Sequence, residues 1–463
     1  MDKHEPIAEL PKRNLVARMP PMSLLGRLRF IIRRDILRGL ERMAQEGGDV
    51  VNYQVGPWDY WFFVHPDAVR DVLVARDTQM IKGPALRRTE DTLGKGLLTS
   101  EGELHKKQRR LIQPDLHPQR VATYADSMTR FAAETAKSWH EGQVIDLHAE
   151  MMQLTLRIVA KTLFDADMGE EVHAIGHAMD ISVGMFTRAM TPWGPLLDKL
   201  PLPSNFRFKR AWRKLTDTID RFIRDHRAKG ATSDDLLARL LHATDVEGDG
   251  TGMNDRQLRD EAITLFTAGH ETTANALTFT LYLVSQHPEV RRQLDAELES
   301  VLAGRSARFE DVENLPYTRA VLAEGMRLYP PAWALARESV EPCVIAGVDV
   351  PKGAVVLVSQ WITHRDPRWW SDPDRFDPSR FDPSTRSTRP RWSYFPFGGG
   401  SRQCVGESFA WMEAILVLAT LLQNWEMEYL DTEPPKLKAL ITLRPARPVR
   451  IRLRRRTSGH AAP

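Results

Sequence analysis

The sequence feature that most constrains the fold and function of this chain is a glycine-rich loop with a cysteine near its end. The loop reads FPFGGGSRQCVG over residues 395–406, with Cys404 near its end. Apolar residues then recur at helical spacing, at Phe409, Met412, Leu416 and Ala419. This pattern predicts a buried helix that begins just after the cysteine. A helix N-terminus and nearby backbone N–H groups favour a thiolate, so Cys404 is predicted to be a metal ligand.

The other residues of the loop fit a flat cofactor beside the sulfur. Because glycine has no Cβ, the glycines of the loop, Gly406 among them, allow close approach of the backbone to a macrocycle. Phe397 is placed to shield the sulfur side of the ring. Arg402 is suited to a carboxylate at the cofactor edge, because its planar guanidinium binds carboxylates through two hydrogen bonds. The loop therefore predicts a heme-thiolate site; the alternative is a buried structural cysteine.

A second segment, from Asp255 to about Gln286, is predicted to be one long helix because it is apolar and lacks proline. The sequence AGHETT, residues 268–273, stands at its centre. Gly269 in mid-helix costs about 1 kcal/mol relative to alanine and asks for a reason, such as close approach of a cofactor. Thr272 can donate its hydroxyl hydrogen to the carbonyl of Ala268, and Glu271 beside it can deliver protons.

The two segments closely resemble the cysteine loop and the oxygen-activation motif of the cytochrome P-450 superfamily. The resemblance implies that Cys404 is the proximal ligand of heme b iron. Ala268, Gly269, Glu271 and Thr272 match the second motif, with Glu271 and Thr272 as the catalytic acid and alcohol. It also implies a monooxygenase that inserts one oxygen atom of O2 into a C–H bond.

The expected fold is the cytochrome P-450 fold: mainly α with a smaller β portion, and a long central helix that crosses over the heme. Strand-like segments lie near residues 49–64, 344–358 and 440–453. We expect one domain over residues 1–463, with residues 1–24 as an N-terminal extension and no fused reductase. The chain of 463 residues is 42% apolar, enough for one large core.

Three further charged residues are predicted to form a structural cluster. Glu324 and Arg327 share a helix face, and Arg380 matches the arginine that joins this pair in the family. The three are predicted to hold the cofactor-loop region in place without doing chemistry.

The resemblance also supplies anchors for the two heme propionates. His105 and Arg109 lie one helical turn apart, although many family members have tryptophan where this chain has His105. Arg337 occupies another position where the family often binds a propionate, and its alternative is an ordinary surface arginine. Together with Arg402, these residues are expected to neutralise the heme edge.

The amino-acid composition limits the expected cellular location and the expected classes of binding partner. Only two cysteines occur, and with Cys404 on iron, Cys343 has no disulfide partner, so a reducing cytoplasm is expected. The N-terminal segment contains no run of about 20 apolar residues, so no membrane anchor is expected. The net charge of +3 is too small and dispersed to indicate nucleic-acid binding.

No flavin, nicotinamide or iron–sulfur segment is recognisable, so electrons are expected from an external ferredoxin or flavodoxin. An acidic partner is predicted to dock near Lys106, Lys107 and Arg110.

The substrate is expected to be a lipophilic small molecule, either a fatty acid or a terpenoid or steroid. Analogy with the family places its contacts in residues 80–86 and 185–193 and at the candidates Leu265, Ala268, Trp333, Leu335 and Ile441. An ordinary core would look the same. Two alternatives to a reductant-driven monooxygenase stay open: a peroxide-driven peroxygenase of the same fold, and a non-enzymatic heme-thiolate sensor or carrier.

Overall fold

The computed structural model describes residues 17–18, 35–169, 171–186, 194–229, 235–386 and 388–456. Most of the predicted N-terminal extension therefore lies outside the described residues. The same holds for residues 187–193 of the predicted substrate segment.

Helices make up most of the described chain. They are α1 Ile36–Gly47, α2 Pro66–Arg70, α3 Pro84–Arg87, α4 Glu90–Leu93, α5 Gly102–Ile112, α6 Pro118–Val121, α7 Ala125–Ser138, α8 Leu147–Phe164, α9 Glu171–Phe186, α10 Gly194–Lys199, α11 Pro203–Lys229, α12 Leu236–His242, α13 Asp255–Gln286, α14 Pro288–Leu302, α15 Pro316–Leu328, α16 Gln360–Thr363, α17 Pro383–Arg386 and α18 Glu407–Asn424. The strands are β1 Ala17–Arg18, β2 Val50–Val55, β3 Trp58–Phe63, β4 Met80–Lys82, β5 Val144–Asp146, β6 Leu335–Ser339, β7 Cys343–Ile345, β8 Val348–Val350, β9 Val355–Val358, β10 Trp425–Tyr429, β11 Leu437–Ala439, β12 Leu443–Pro445 and β13 Arg450–Arg455.

The chain divides into two compact units, each made of several chain segments. The first, here the sheet unit, comprises residues 1–87, 333–373 and 389–403. The second, the helical unit, comprises residues 88–332, 374–388 and 404–463. The single-domain boundary over residues 1–463 stays a prediction.

The sheet unit is built on a mixed six-stranded sheet in the order β1-β2-β3-β9-β6-β4. Alternate residues of its strands, among them Phe63, Val356 and Val358, meet in one core. The hairpin β7-β8 adds Ile345 and Val350 to the same core. The cysteine loop up to Gln403 belongs to this unit.

The helical unit is organised around α13. Asn254 begins this helix with a capping box, in which its side chain accepts from the Gln257 N–H and the Gln257 side chain accepts from the Asn254 N–H. Pro288 opens the next helix directly after α13 ends. The residues of α13 are buried almost continuously from Asp260 to Val284, against α8, α15 and α18 among others.

The predicted fold is confirmed. The long helix has the predicted bounds, and strands occur in all three predicted segments. Within the part of the chain that the structure describes, no helix is long and apolar enough to cross a membrane.

Candidate active site

Cys404 lies two residues before Gly406, the N-cap of α18. The residue is accessible to solvent, yet the protein atoms around its thiol desolvate it and raise its pKa to about 11. A hydrogen bond from the Gly406 backbone and the charge of Arg109 act in the opposite direction. The predicted helix N-terminus is therefore present but does not by itself produce a thiolate. Coordination to a metal deprotonates a thiol outright, so a bound metal would supply that driving force.

Two glycines of the loop have a packing role, while the predicted close approach of the loop to a macrocycle stays a prediction. Gly400 has a φ of +69°, and a Cβ there would lie 1.9 Å from the backbone oxygen of Leu73. A Cβ on Gly399 would lie 2.4 Å from the ring of Trp392. Both glycines thus let the loop pack against the rest of the sheet unit. Their close approach is to protein atoms.

The centre of α13 has one uncovered patch. Between Asp260 and Val284, the residues that are not buried are Thr267, Ala268, Gly269 and Thr272. Ala268 is exposed and Thr272 is half-buried, one turn apart on the same face. The Thr272 hydroxyl donates to the Ala268 carbonyl at 2.9 Å, as predicted from the sequence. A small uncharged surface of two threonines, an alanine and a glycine is therefore left on an otherwise buried stretch of the helix.

Gly269 is explained by packing between helices. A Cβ at this position would lie 3.2 Å from a methyl of Val159 on α8. The observed contact thus gives a helix-packing reason for the glycine, beside the predicted approach of a cofactor. His270 is buried, and its Nδ1 lies 3.2 Å from the Phe266 carbonyl oxygen, so its ring packs within the helical unit.

Glu271 is held by two residues that sequence reasoning missed. Its Oε1 accepts from the Thr442 hydroxyl and lies 2.8 Å from Nη2 of Arg444. Arg444 also donates through Nη1 to Asp180 at 3.1 Å, and Asp180 is half-exposed on α9. Asn275, one turn after Glu271, donates to Thr442 at 3.5 Å. The acid of the predicted pair is therefore a buried, fixed carboxylate with a cation beside it.

No local signal in the sequence identifies these partners. Thr442 and Arg444 stand about 170 residues after Glu271, in the turn and second strand of the hairpin β11-β12. The segment reads only as an apolar strand with scattered arginines.

The predicted propionate anchors are all wholly or partly buried. In the helical unit, His105 is buried on α5 and Arg109 is half-buried, with Nε donating to Gln113 at 3.2 Å. Burial lowers the pKa of Arg109. In the sheet unit, Arg337 is buried on β6, which rules out the surface-arginine alternative. Arg402 lies 3.8 Å from the carboxylate of Asp77, a partner that the sequence did not predict.

The predicted structural cluster is assembled in the helical unit. Glu324 and Arg327 are fully buried, and Arg327 donates to both carboxylate oxygens, at 2.6 and 2.8 Å. Arg380 lies 3.4 Å from Glu324, and the Asp377 N–H donates to Glu324 at 2.9 Å. Arg327 also donates to the Arg375 carbonyl at 3.1 Å. The pair thereby ties α15 to residues 374–380.

The substrate candidates fall in both units. In the helical unit, Leu265 is buried, Ala268 is exposed and Ile441 is half-buried. In the sheet unit, Trp333 is buried and its carbonyl accepts from the Ser359 hydroxyl at 2.8 Å, while Leu335 is half-buried. Their contact with a substrate stays a prediction.

The residues present fit a heme. Cys404 offers an accessible soft sulfur ligand. The same unit supplies the cationic Arg109 for a carboxylate and the uncovered, uncharged patch at Ala268. A soft ligand, a cation and an uncharged surface are what a heme-thiolate site requires.

Comparison with known proteins settles the family. A family model described as Cytochrome P450 matches residues 17–452. The chain is a cytochrome P450. Members of this family carry heme and act as monooxygenases, and this P450 is accordingly a heme-dependent oxidoreductase that incorporates oxygen from O2.

Three curated relatives come from Streptomyces. Cyclooctatin synthase of Streptomyces melanosporofaciens is 40% identical over 383 residues, covering 82% of this chain and 83% of that protein. Cyclooctat-9-en-7-ol 5-monooxygenase of the same organism is 36% identical and covers 88% of each. Pentalenene oxygenase of Streptomyces avermitilis is 35% identical, over 89% of this P450 and 91% of that protein. Among solved structures, the cytochrome P450DA heme domain matches with a TM-score of 0.86 and 26% identity, over 97% of this chain and 98% of that one.

Proposed function

We propose that this P450 hydroxylates a terpenoid, with electrons from an external redox protein. The substrate class rests on two relatives that are named for the oxidation of cyclooctat-9-en-7-ol and of pentalenene. Both compounds are terpenes. The uncharged patch around Ala268, with Leu265 buried one turn earlier, supports a substrate without charge. The relatives favour this class over the fatty acids and steroids that the sequence left open.

The proposed roles of the residues follow from their contacts. Cys404 ligates the iron, and Arg109 and His105 meet a heme carboxylate from α5. Arg337 and Arg402 are proposed for the same role on their match to the family positions. When bound, the heme supplies activation of dioxygen.

Glu271 and Thr272 are proposed to move protons, with Arg444 as a positioning residue. Arg444 and Thr442 fix one carboxylate oxygen of Glu271, which prevents the side chain from rotating freely. The Thr272 hydroxyl is half-buried at the edge of the uncovered patch and points back to the Ala268 carbonyl. A general acid must lie within hydrogen-bond reach of its target, and this arrangement holds acid and alcohol on one helix turn.

A ferredoxin or flavodoxin stays the proposed electron donor, but its docking residues need revision. Lys107 pairs with Asp249 at 2.8 Å and Arg110 pairs with Asp245 at 2.7 Å. Lys106 pairs with Glu103 at 2.8 Å. Each predicted docking cation is thus offset by an acid nearby, so these three residues provide less attraction for an acidic partner than the sequence suggested. A cytoplasmic location, based on two cysteines outside any disulfide, is proposed with it.

The substrate proposal is tested by optical titration of the purified ferric holoenzyme with terpene hydrocarbons, terpene alcohols, fatty acids and steroids. We expect the heme band to shift with terpenes at the lowest concentrations. Turnover with a surrogate ferredoxin system should add one labelled oxygen atom from isotopic dioxygen. Saturable shifts and turnover with fatty acids alone would refute the terpenoid proposal.

The proton-transfer proposal is tested with Thr272→Ala. The variant should keep the heme spectrum but release most reducing equivalents as peroxide, because the half-buried hydroxyl beside Ala268 is lost. Thr267→Ala is the matched control, since Thr267, five residues earlier, makes the same kind of bond, to the Ile263 carbonyl at 2.7 Å. Equal ratios of product to consumed reductant in wild type and Thr272→Ala would remove Thr272 from proton transfer.

A further inference from the structure

A buried asparagine lies on α13 one turn after Glu271. Asn275 is 0% exposed, and both ends of its side-chain amide have partners. Its Nδ2 donates to the Thr442 hydroxyl oxygen at 3.5 Å, and its Oδ1 lies 3.1 Å from Nε2 of His148. A buried amide is costly unless it is hydrogen-bonded, and asparagine does not favour the interior of a helix. The place of Asn275 in this helix therefore depends on these two partners.

The bonds of Asn275 belong to a chain that ends on the carboxylate of Glu271. The chain begins at the half-buried His148 in the first turn of α8 and crosses to Asn275 on α13. It continues to Thr442 in the hairpin β11-β12, whose hydroxyl donates to Oε1 of Glu271. All four residues lie in the helical unit. A side chain of α8 is thus connected to the proposed catalytic acid.

The donors of this chain all point toward Glu271. A threonine hydroxyl has one hydrogen, and Thr442 donates it to the carboxylate, so its oxygen accepts from the amide nitrogen of Asn275. The amide oxygen then faces His148, and Nε2 of that ring must carry a hydrogen. The three bonds together therefore select one tautomer of a neutral His148, with Nε2 protonated and Nδ1 unprotonated.

The surroundings of His148 favour the neutral ring. Burial, followed by the positive charge of Arg444, lowers the pKa of His148. Asp146, Asp180 and the bond with Asn275 act in the opposite direction. Asp146 accepts from the His148 backbone N–H at the start of α8, where the helix dipole opposes a cation. Near neutral pH, His148 is therefore a neutral donor with a fixed hydrogen.

The chain reaches only one of the two oxygens of the Glu271 carboxylate. Oε1 accepts from Thr442 and from Nε of Arg444 at 3.2 Å, and Nη2 of Arg444 lies 2.8 Å away. Hydrogen bonds to a charged oxygen lower its affinity for a proton. A proton that Glu271 carries therefore resides on Oε2.

We propose that His148 is a positioning residue for the acid Glu271. Its Nε2 hydrogen holds the Asn275 amide in one orientation, the amide holds the Thr442 hydroxyl on Oε1, and Oε2 is left to carry the proton. This role needs no contact between His148 and the substrate. The inference rests on the proposed function of Glu271 in proton transfer and adds a residue that orients it.

The first test is the tautomer of His148 in the reduced, carbon monoxide-bound holoenzyme, which is diamagnetic. Protein with isotopically labelled histidine is measured by nitrogen NMR at neutral and mildly alkaline pH, and His148 is assigned by the signals that His148→Gln removes. We expect a protonated Nε2 and an unprotonated Nδ1 in wild type, and a mixture of both tautomers in Asn275→Leu. An Nδ1–H tautomer in wild type would reverse the Asn275 amide and overturn the proposal, as would the same tautomer in wild type and Asn275→Leu.

The second test is the ratio of peroxide to product during turnover with the most tightly coupled compound of the titration panel. His148→Leu removes the donor and should raise this ratio about tenfold, less than the complete loss of a general acid, which costs about 100-fold or more. His148→Gln should restore most of the coupling, because the glutamine side-chain nitrogen donates from nearly the position of Nε2. His140→Leu is the matched control, since His140 is exposed and its ring bonds to Gln143.

Glu271→Gln distinguishes failure of this inference from failure of the proposed function. If Glu271→Gln stays coupled, the proton-transfer role of Glu271 is wrong, and the role of His148 is wrong with it, even where the tautomer is the expected one. If Glu271→Gln loses coupling while His148→Leu keeps it, the inference alone is wrong. Equal uncoupling by His148→Gln and His148→Leu would overturn it as well.

A double variant tests whether His148 acts through Asn275. Adding His148→Leu to Asn275→Leu should change the peroxide ratio little, because each substitution breaks the same chain. Losses that add in full would mean that the two residues act independently, which would overturn the proposal. The heme spectrum and circular dichroism of each variant verify that it is folded.

Discussion

Removing Arg327 should destabilise the protein by about 3–5 kcal/mol, the usual cost of breaking a buried ion pair from one side. The structure places this substitution at the upper part of that range. Both side chains of the pair are 0% exposed, and Arg327 donates to both oxygens of Glu324. After Arg327→Met, Glu324 would keep, among the described residues, Arg380 at 3.4 Å and the Asp377 N–H at 2.9 Å.

The loss should also depend on pH. Burial raises the pKa of the Glu324 carboxyl, and its hydrogen bonds with Arg327 lower it. Without Arg327, burial is opposed less, so the pKa in the folded variant rises further above that in the unfolded chain. The folded variant then gains stability relative to wild type as pH falls and Glu324 takes up a proton. The difference between the two proteins is therefore largest near neutral pH.

Urea unfolding of the holoenzyme, followed by circular dichroism and by heme absorbance, measures this difference. Arg454→Met is the control, because the Arg454–Glu428 pair is exposed and such pairs contribute about 0–1 kcal/mol. A double variant Glu324→Leu, Arg327→Met should recover part of the stability, since it removes the unpaired charge. If Arg327→Met were no more harmful than Arg454→Met at neutral pH, the assignment of this cluster as a structural centre would be wrong.

Three further predictions test the packing and a buried acid. Gly325→Ala should cost about 1–3 kcal/mol in urea unfolding, because its Cβ would lie 2.2 Å from Oγ1 of Thr280, and Thr280→Ala should restore part of the loss. Gly400→Ala should lower heme content and stability, since it combines a clash with a left-handed backbone, whereas Gly353→Ala, with a φ of +81° and open space, should show the strain alone. Burial raises the pKa of Glu413 well above its ordinary range. The unfolded chain therefore loses this proton first, and wild-type stability should fall relative to Glu413→Gln as pH rises above about 4.3, measured by urea midpoints across pH.

The sequence predicted the features that depend on local order. The bounds of α13 follow from a capping box, the absence of proline within it and Pro288 beyond its end. The position of Cys404 before α18 follows from the apolar repeat after Gly406. Such signals need only a few neighbouring residues, and the order of the motifs made the family recognisable.

Features that depend on tertiary packing could not be predicted from local sequence patterns. The contact between Gly269 and Val159 joins two helices, and the Glu271–Arg444 pair joins a helix to a hairpin far along the chain. The pairing of Arg402 with Asp77 likewise required the fold. A charged residue that is buried needs a partner, but the sequence pattern does not show which residue that partner is.

The hairpin β11-β12 links two properties that are usually tested separately. Its turn carries Ile441, a candidate for substrate contact, directly before Thr442, which bonds to Glu271. Arg444, two residues later, carries the ion pair to the same carboxylate and the bond to Asp180 on α9. A substitution at Ile441 that displaces the turn would therefore alter the position of the acid as well as the shape of the site. Altered products with normal coupling would indicate a substrate contact, whereas increased peroxide would indicate that Glu271 had been displaced.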